Sequence, residues 1–160
     1  DVRRVCKVNS INSLVSTLKV HGVIRAFIWF MLDCGLLGAM NKTPAPLLLL
    51  PNNENTNKGD FTENFVCSQM QTLRNVSINY YSKENSQLEL DFVIQLGTHI
   101  YPIEVNAEEN LQAKSLKTTL ANNPTLVGHR FSMSDYREQD RLTNVPLYGI
   151  NAYLETKKDI

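Results

Sequence analysis

The chain has little of what usually announces a function. Its three cysteines, Cys6, Cys34 and Cys67, are odd in number, widely spaced and without a CxxC pair. That excludes a disulfide framework and a zinc pattern, and it points to reduced thiols in a cytoplasmic protein. None of the seven glycines stands in a P-loop or a G-x-G-x-x-G, so no nucleotide and no ATPase activity is expected of this chain. An HExxH and a G-x-S-x-G elbow are also missing, which removes zincin and α/β-hydrolase chemistry. Charge of either sign is not in excess: 16 Lys and Arg balance 16 Asp and Glu, so the net charge gives no footprint for tight nonspecific nucleic-acid binding. The longest apolar run, 23–40, is interrupted by Arg25 and Asp33. A charge near a helix centre costs about 3 kcal/mol on insertion, so the run reads as core and no membrane contact is expected.

What is present supports one α/β domain. A chain of 160 residues with 42% hydrophobic content can bury one sizeable core. Residues 1–59 carry seven basic and three acidic side chains, and 60–160 carry nine and thirteen. The asymmetry is too mild to mark a binding face. Residues 1–25 read as an N-terminal remnant or short helical appendage, Ser10 capping a helix with Ile11, Leu14, Val15 and Leu18 on one face. Residues 26–160 form the main domain, with a polar loop near 51–58.

Within that domain, 25–32 is an apolar run expected as a buried strand. A short helix follows over 35–40, and one apolar turn over 47–50. Asp60 is an N-cap with Glu63 at the capping-box spacing, opening a helix whose stripe is Phe61, Phe65, Val66, Met70 and Leu73. Glu63 either caps that helix or projects along its buried side. Strands are expected over 77–82, 88–96, 101–106, 125–133 and 145–150, the last at an edge because of Pro146. Helices are expected over 110–121 and 151–158. Two-residue alternation over 88–106, broken by Gly97-Thr98, predicts a hairpin with a type II′ turn. Leu96 then faces His99, Val93 faces Pro102 and Asp91 faces Glu104. Two carboxylates side by side on one face repel each other, which is tolerable if they share a divalent cation through oxygen ligands or if water screens them. His21, His99 and His129 are isolated in sequence and read as packing or surface residues.

Glu63 on a helix, followed by D-x(12)-E-x-N across two paired strands, resembles the PD-(D/E)xK, restriction-endonuclease-like superfamily, whose core order is α-β-β-β-α-β. The segments at 58–66 (KGDFTENFV), 89–94 (ELDFVI), 102–117 (PIEVNAEENLQAKSLK) and 145–150 (VPLYGI) are together similar to one prokaryotic domain-of-unknown-function family. That family forms the C-terminal half of many AAA-type ATPase-like proteins. The resemblance implies that Glu63, Asp91 and Glu104 are metal-binding acids of a Mg²⁺ nuclease centre. It also implies DNA, another protein or an ATPase module as partner. Where the family pattern has Lys, this chain has Asn106, which is neutral, does not titrate and cannot supply the lysine's charge. Lys114 on the following helix is the candidate substitute. Three readings stay open: a catalytically degenerate nuclease-like domain that binds or regulates, an active Mg²⁺-dependent endonuclease using Lys114, and a plain interaction domain. The first 25 residues are too few for a nucleotide-binding module, so the chain reads as a fragment or a degenerate relative.

Overall fold

A computed structural model describes residues 5–14, 22–42, 58–83, 88–107 and 113–157. In chain order the elements are β1 (Val5–Ile11), β2 (Gly22–Met31), α1 (Cys34–Met40), α2 (Lys58–Gln71), β3 (Ser77–Ser82), β4 (Glu89–Leu96), β5 (His99–Asn106), α3 (Lys114–Asn122), β6 (Gly128–Ser132), β7 (Arg137–Gln139), β8 (Leu142–Pro146), a 3₁₀ turn (Leu147–Gly149) and α4 (Ile150–Glu155). The strands make one mixed sheet in the order β2-β1-β3-β4-β5-β6-β8-β7. From α2 to β6 the order is the expected α-β-β-β-α-β. β3, β4 and β5 are antiparallel, and β6 and β8 run parallel to β5.

Helices cover both faces of the sheet. On one, Val66, Cys67 and Met70 of α2 and Ile150 and Leu154 of α4 pack on Phe92, Ile94, Ile103 and Phe131. On the other, Leu116 and Leu120 of α3 pack on Leu90, Val93 and Leu142. Gly128 lets α3 approach β6: a Cβ there would lie 2.9 Å from Leu120 Cδ1 and 3.0 Å from Leu116 Cδ1. Asp33 caps α1 by accepting from the Leu36 N–H at 2.8 Å. The β4–β5 turn also forms as read: Leu96 pairs with His99, Val93 with Pro102, and Gly97 has φ +58° while Thr98 does not enter the positive region, the pattern of a type II′ turn.

Several expectations are corrected. Ser10 and Ile11 do not begin a helix; they end β1, which pairs with β2 and in parallel with β3. Tertiary pairing overrides local helix propensity there. β2 is an edge strand, not a buried one, and Phe27, Ile28 and Trp29 are 45%, 41% and 57% exposed. Asp60 lies inside the first turn of α2, which starts at Lys58, so it is no N-cap. β8 is internal, because β7, a strand the sequence did not announce, covers its outer side. Pro146 is tolerated there as the strand's last residue. The apolar turn at 47–50, the polar loop at 51–57 and the start of the expected helix at 110–112 lie outside the described residues.

Candidate functional site, a fork between two strands

The β4–β5 ladder runs from the turn to Phe92↔Ile103 and stops, although both strands continue. Beyond it, Leu90 and Glu89 pair only with Tyr81 and Ser82 of β3, while Glu104, Val105 and Asn106 pair with Arg130, Phe131 and Ser132 of β6. The two strands therefore part like the arms of a Y. The register explains the parting. Between Asn79↔Val93 and Tyr81↔Leu90 β3 advances two residues and β4 three, a bulge that places Asp91 and Phe92 opposite Tyr80 and bends the strand. It also changes the phase of the pleat: Leu88 and Leu90 join the α3 face with Val93, not the α2 face with Phe92 and Ile94. The uninterrupted alternation read over 88–94 is thereby corrected.

Asp91 sits in the crotch of the fork. Its Oδ2 accepts from the Val105 N–H at 2.7 Å, replacing the interstrand bond the parting strands can no longer make. Glu104, next to Val105, is held from the α3 face, its Oε2 accepting from the Leu116 N–H at 3.2 Å. Glu63 approaches from α2 on the opposite face. Asp91 and Glu104 are therefore not the facing pair that the turn register predicted, and Glu63 and Glu104 reach the fork from opposite faces of the sheet, not from the one shared face expected.

Burial and one another's charge set the ionisation of these acids. Burial pushes the Glu63 carboxyl up to about 7, with the charges of Asp91 and Asp60 adding to it. Burial also raises Asp91, against the pull of the Val105 N–H, and Glu89 raises it further. Glu104 is raised by burial, lowered by the Leu116 N–H, raised by Asp91, and lowered by Arg130 and Lys117. Asp91 is the common neighbour of the other two acids.

Cationic groups complete the site. Glu104, Arg130, Asn144 and Arg137 are register partners across β5, β6, β8 and β7, so their side chains leave one face of the sheet in a row. Arg130 is only 2% exposed, and no acceptor meets its buried Nε. It lines a cavity of about 320 Å³ with Ser134, Asp135, Arg137 and Asn144. Asn144 is fully engaged: its Oδ1 accepts from Ser132 at 2.9 Å, and its Nδ2 donates to the carbonyls of Ser134 and Asp135. This fixes the turn that forms the cavity wall. Asn106 ends β5, half-buried, in register with Ser132. Lys114 opens α3 with its side chain exposed, and the positive charges acting on Glu104 are those of Arg130 and Lys117.

Sequence reasoning missed Arg130, Arg137 and Asn144. The available signal was an arginine inside the strand expected over 125–133; all five residues of β6, Arg130 included, are buried. On the far face, His129 is 1% exposed, which bears out its reading as a packing residue. Burial, then Lys157, hold its imidazole down to about 4.

The model of the family described as "Domain of unknown function (DUF4143)" matches residues 58–152. That is 95 of the 160 residues. The chain belongs to the DUF4143 family. The matched stretch of this DUF4143 domain runs from α2 to α4 and contains every element that shapes the fork. No curated protein and no solved structure matches the chain. Among the described residues, no helix is long and apolar enough to cross a membrane.

Proposed function

We propose that this DUF4143 domain is a nuclease-like phosphodiester-binding module that takes a divalent cation at Asp91 and Glu104, and that Asn106 leaves it weak or inactive as an endonuclease. The observation that supports this reading is the fork: a half-buried aspartate bridging two parting strands beside a glutamate, with a third acid behind and an arginine in front. Its element order agrees with the PD-(D/E)xK likeness read from the sequence. The same likeness makes an ATPase module or another protein the neighbour through which it would act, with DNA as the polymer bound.

The donor set suits Mg²⁺. Among the described residues no three His, Cys, Asp or Glu side chains are grouped closely enough to hold a metal by themselves, but Mg²⁺ is commonly held by one or two carboxylates and keeps several waters. Asp91 and Glu104 each commit one oxygen to a backbone N–H and repel each other, a cost that a shared cation removes. Bound there, the ion would stabilise charge on a phosphate and acidify a water. The chain's own groups do the rest: the two N–H bonds orient the carboxylates, and Glu63, titrating near 7, sets how much negative charge the fork carries. Asn106 supplies no cation beside the phosphate. Lys114 as a replacement is the less favoured alternative, because the cations acting on Glu104 are Arg130 and Lys117.

Calorimetric titration with Mn²⁺ and Mg²⁺ tests the reading. Heat of binding is expected from the parent and none from Asp91→Asn, which keeps an acceptor for Val105 but loses the charge. Plasmid nicking should be near background, and Asn106→Lys should raise it by about 10²-fold, the scale of one restored charge-bearing catalytic group. No heat from the parent would leave the domain an interaction module with solvated acids.

A further inference from the structure

The row of residues beyond Glu104 has no role in holding a cation, yet it is costly to build. A guanidinium buried to 2% exposure with an unmet Nε forfeits hydration that one neighbouring carboxylate only partly replaces. Arg130 stands in the interior of the sheet, β6 lying between β5 and β8. Arg137 stands two strands away on the same face and closes the cavity from its open side. Two guanidinium groups facing one cavity, with their planar forks, match an oxyanion bearing several acceptor oxygens. The cavity of about 320 Å³ has room for a phosphate with its attached groups. Asp135, also on its wall, opposes a second negative charge and so favours a phosphate over a denser polyanion.

We infer that the Arg130–Arg137 cavity is a phosphate-binding subsite, one strand spacing beyond the acidic fork. The strand separation of about 4.8 Å puts Arg130 next to Glu104, so a phosphate held there lies beside the fork, outside the carboxylate pair. Two sources share this chemistry: the backbone of a nucleic acid, and free inorganic phosphate. The nucleic-acid source rests on the nuclease-like reading, whereas the subsite itself does not.

The test is run on the full chain in EDTA, so that no metal contributes. Inorganic phosphate should raise the unfolding temperature above that in chloride at equal ionic strength. The gain should be lost in Arg130→Gln and reduced in Arg137→Gln, whose exposed position leaves folding intact if the buried substitution does not. A labelled single-stranded oligonucleotide, followed by fluorescence anisotropy, gives the second arm. Binding weakened about tenfold by Arg137→Gln, the order expected for one charge-assisted contact, and kept in Asp91→Asn assigns the cavity to a nucleic-acid backbone. Phosphate stabilisation without oligonucleotide binding assigns it to the free anion and counts against the nuclease-like reading alone. A parent that gains nothing from phosphate, or an Arg137→Gln protein that responds to phosphate and oligonucleotide as the parent does, overturns the subsite.

Discussion

Asp91 shows how one side chain does backbone work. Its carboxylate fills the hydrogen-bonding position that the β4–β5 ladder vacates, and burial makes that carboxylate hard to ionise. Two other buried groups give the domain opposing pH dependences. Glu63 is raised from 4.5 to about 7, so the folded state holds a proton the unfolded chain has lost. Its destabilisation grows as pH rises from 4.5 and is complete above 7. Because Glu63 is partly solvated, we put the cost at about 1–2 kcal/mol. His129 is lowered from 6.5 to about 4; its neutral form is favoured on folding, so that contribution is full above 6.5 and is lost as pH falls through 4, about 3 kcal/mol in all. Chemical denaturation across pH 4–8 should therefore show Glu63→Gln gaining stability at pH 8 and losing part of the slope that falls with pH, the remainder coming from Asp91 and Glu104. His129→Asn should keep the falling one. Equal slopes in all three proteins would contradict both assignments.

At the scale of elements, the fork depends on how α3 is seated, because α3 supplies the Leu116 N–H that holds Glu104. Gly128 permits that seating. A Cβ at this position would meet Leu120 and Leu116 at 2.9–3.0 Å, and overpacking of this kind costs about 1–3 kcal/mol. Gly128→Ala should lower stability by that amount, and Leu120→Ala in the same chain should recover part of it, a double-mutant cycle measured by urea unfolding. Strict additivity would show that α3 and β6 do not press on each other there. A glycine inside a strand segment is itself a mark of close backbone approach. Which helix approached was not legible. The bulge in β4 was not read from sequence either: LELDFVI alternates as far as Asp91, then runs Phe92-Val93-Ile94, and pairing with β3 shows where the extra residue goes.

Over the whole molecule, the sheet is protected unequally. β7 closes one edge with Arg137, Glu138 and Gln139, all exposed and polar. β2 closes the other with Phe27, Ile28 and Trp29 largely in solvent, Phe27 and Trp29 stacked edge to face at 5.5 Å and Lys7 4.4 Å from the Phe27 ring centre. An exposed apolar edge strand promotes association. Trp29→Lys should change the unfolding free energy by no more than about 0.5 kcal/mol while raising solubility. A loss of several kcal/mol would mean that the indole is buried in the folded protein.

The sequence by itself determined the tight turn at Gly97 and the α-β-β-β-α-β order from α2 to β6, because these follow from short-range alternation, turn chemistry and spacing. Tertiary structure alone decided which strand lay at the edge, where the ladder parted and which arginine came to stand beside Glu104. Those outcomes depend on pairing between segments far apart in the chain, as Glu104 with Arg130, 26 residues on, and Asn9 with Asn79, 70 residues on. A local pattern contains no term for such pairing, since the partner that sets each residue's register is absent from its window.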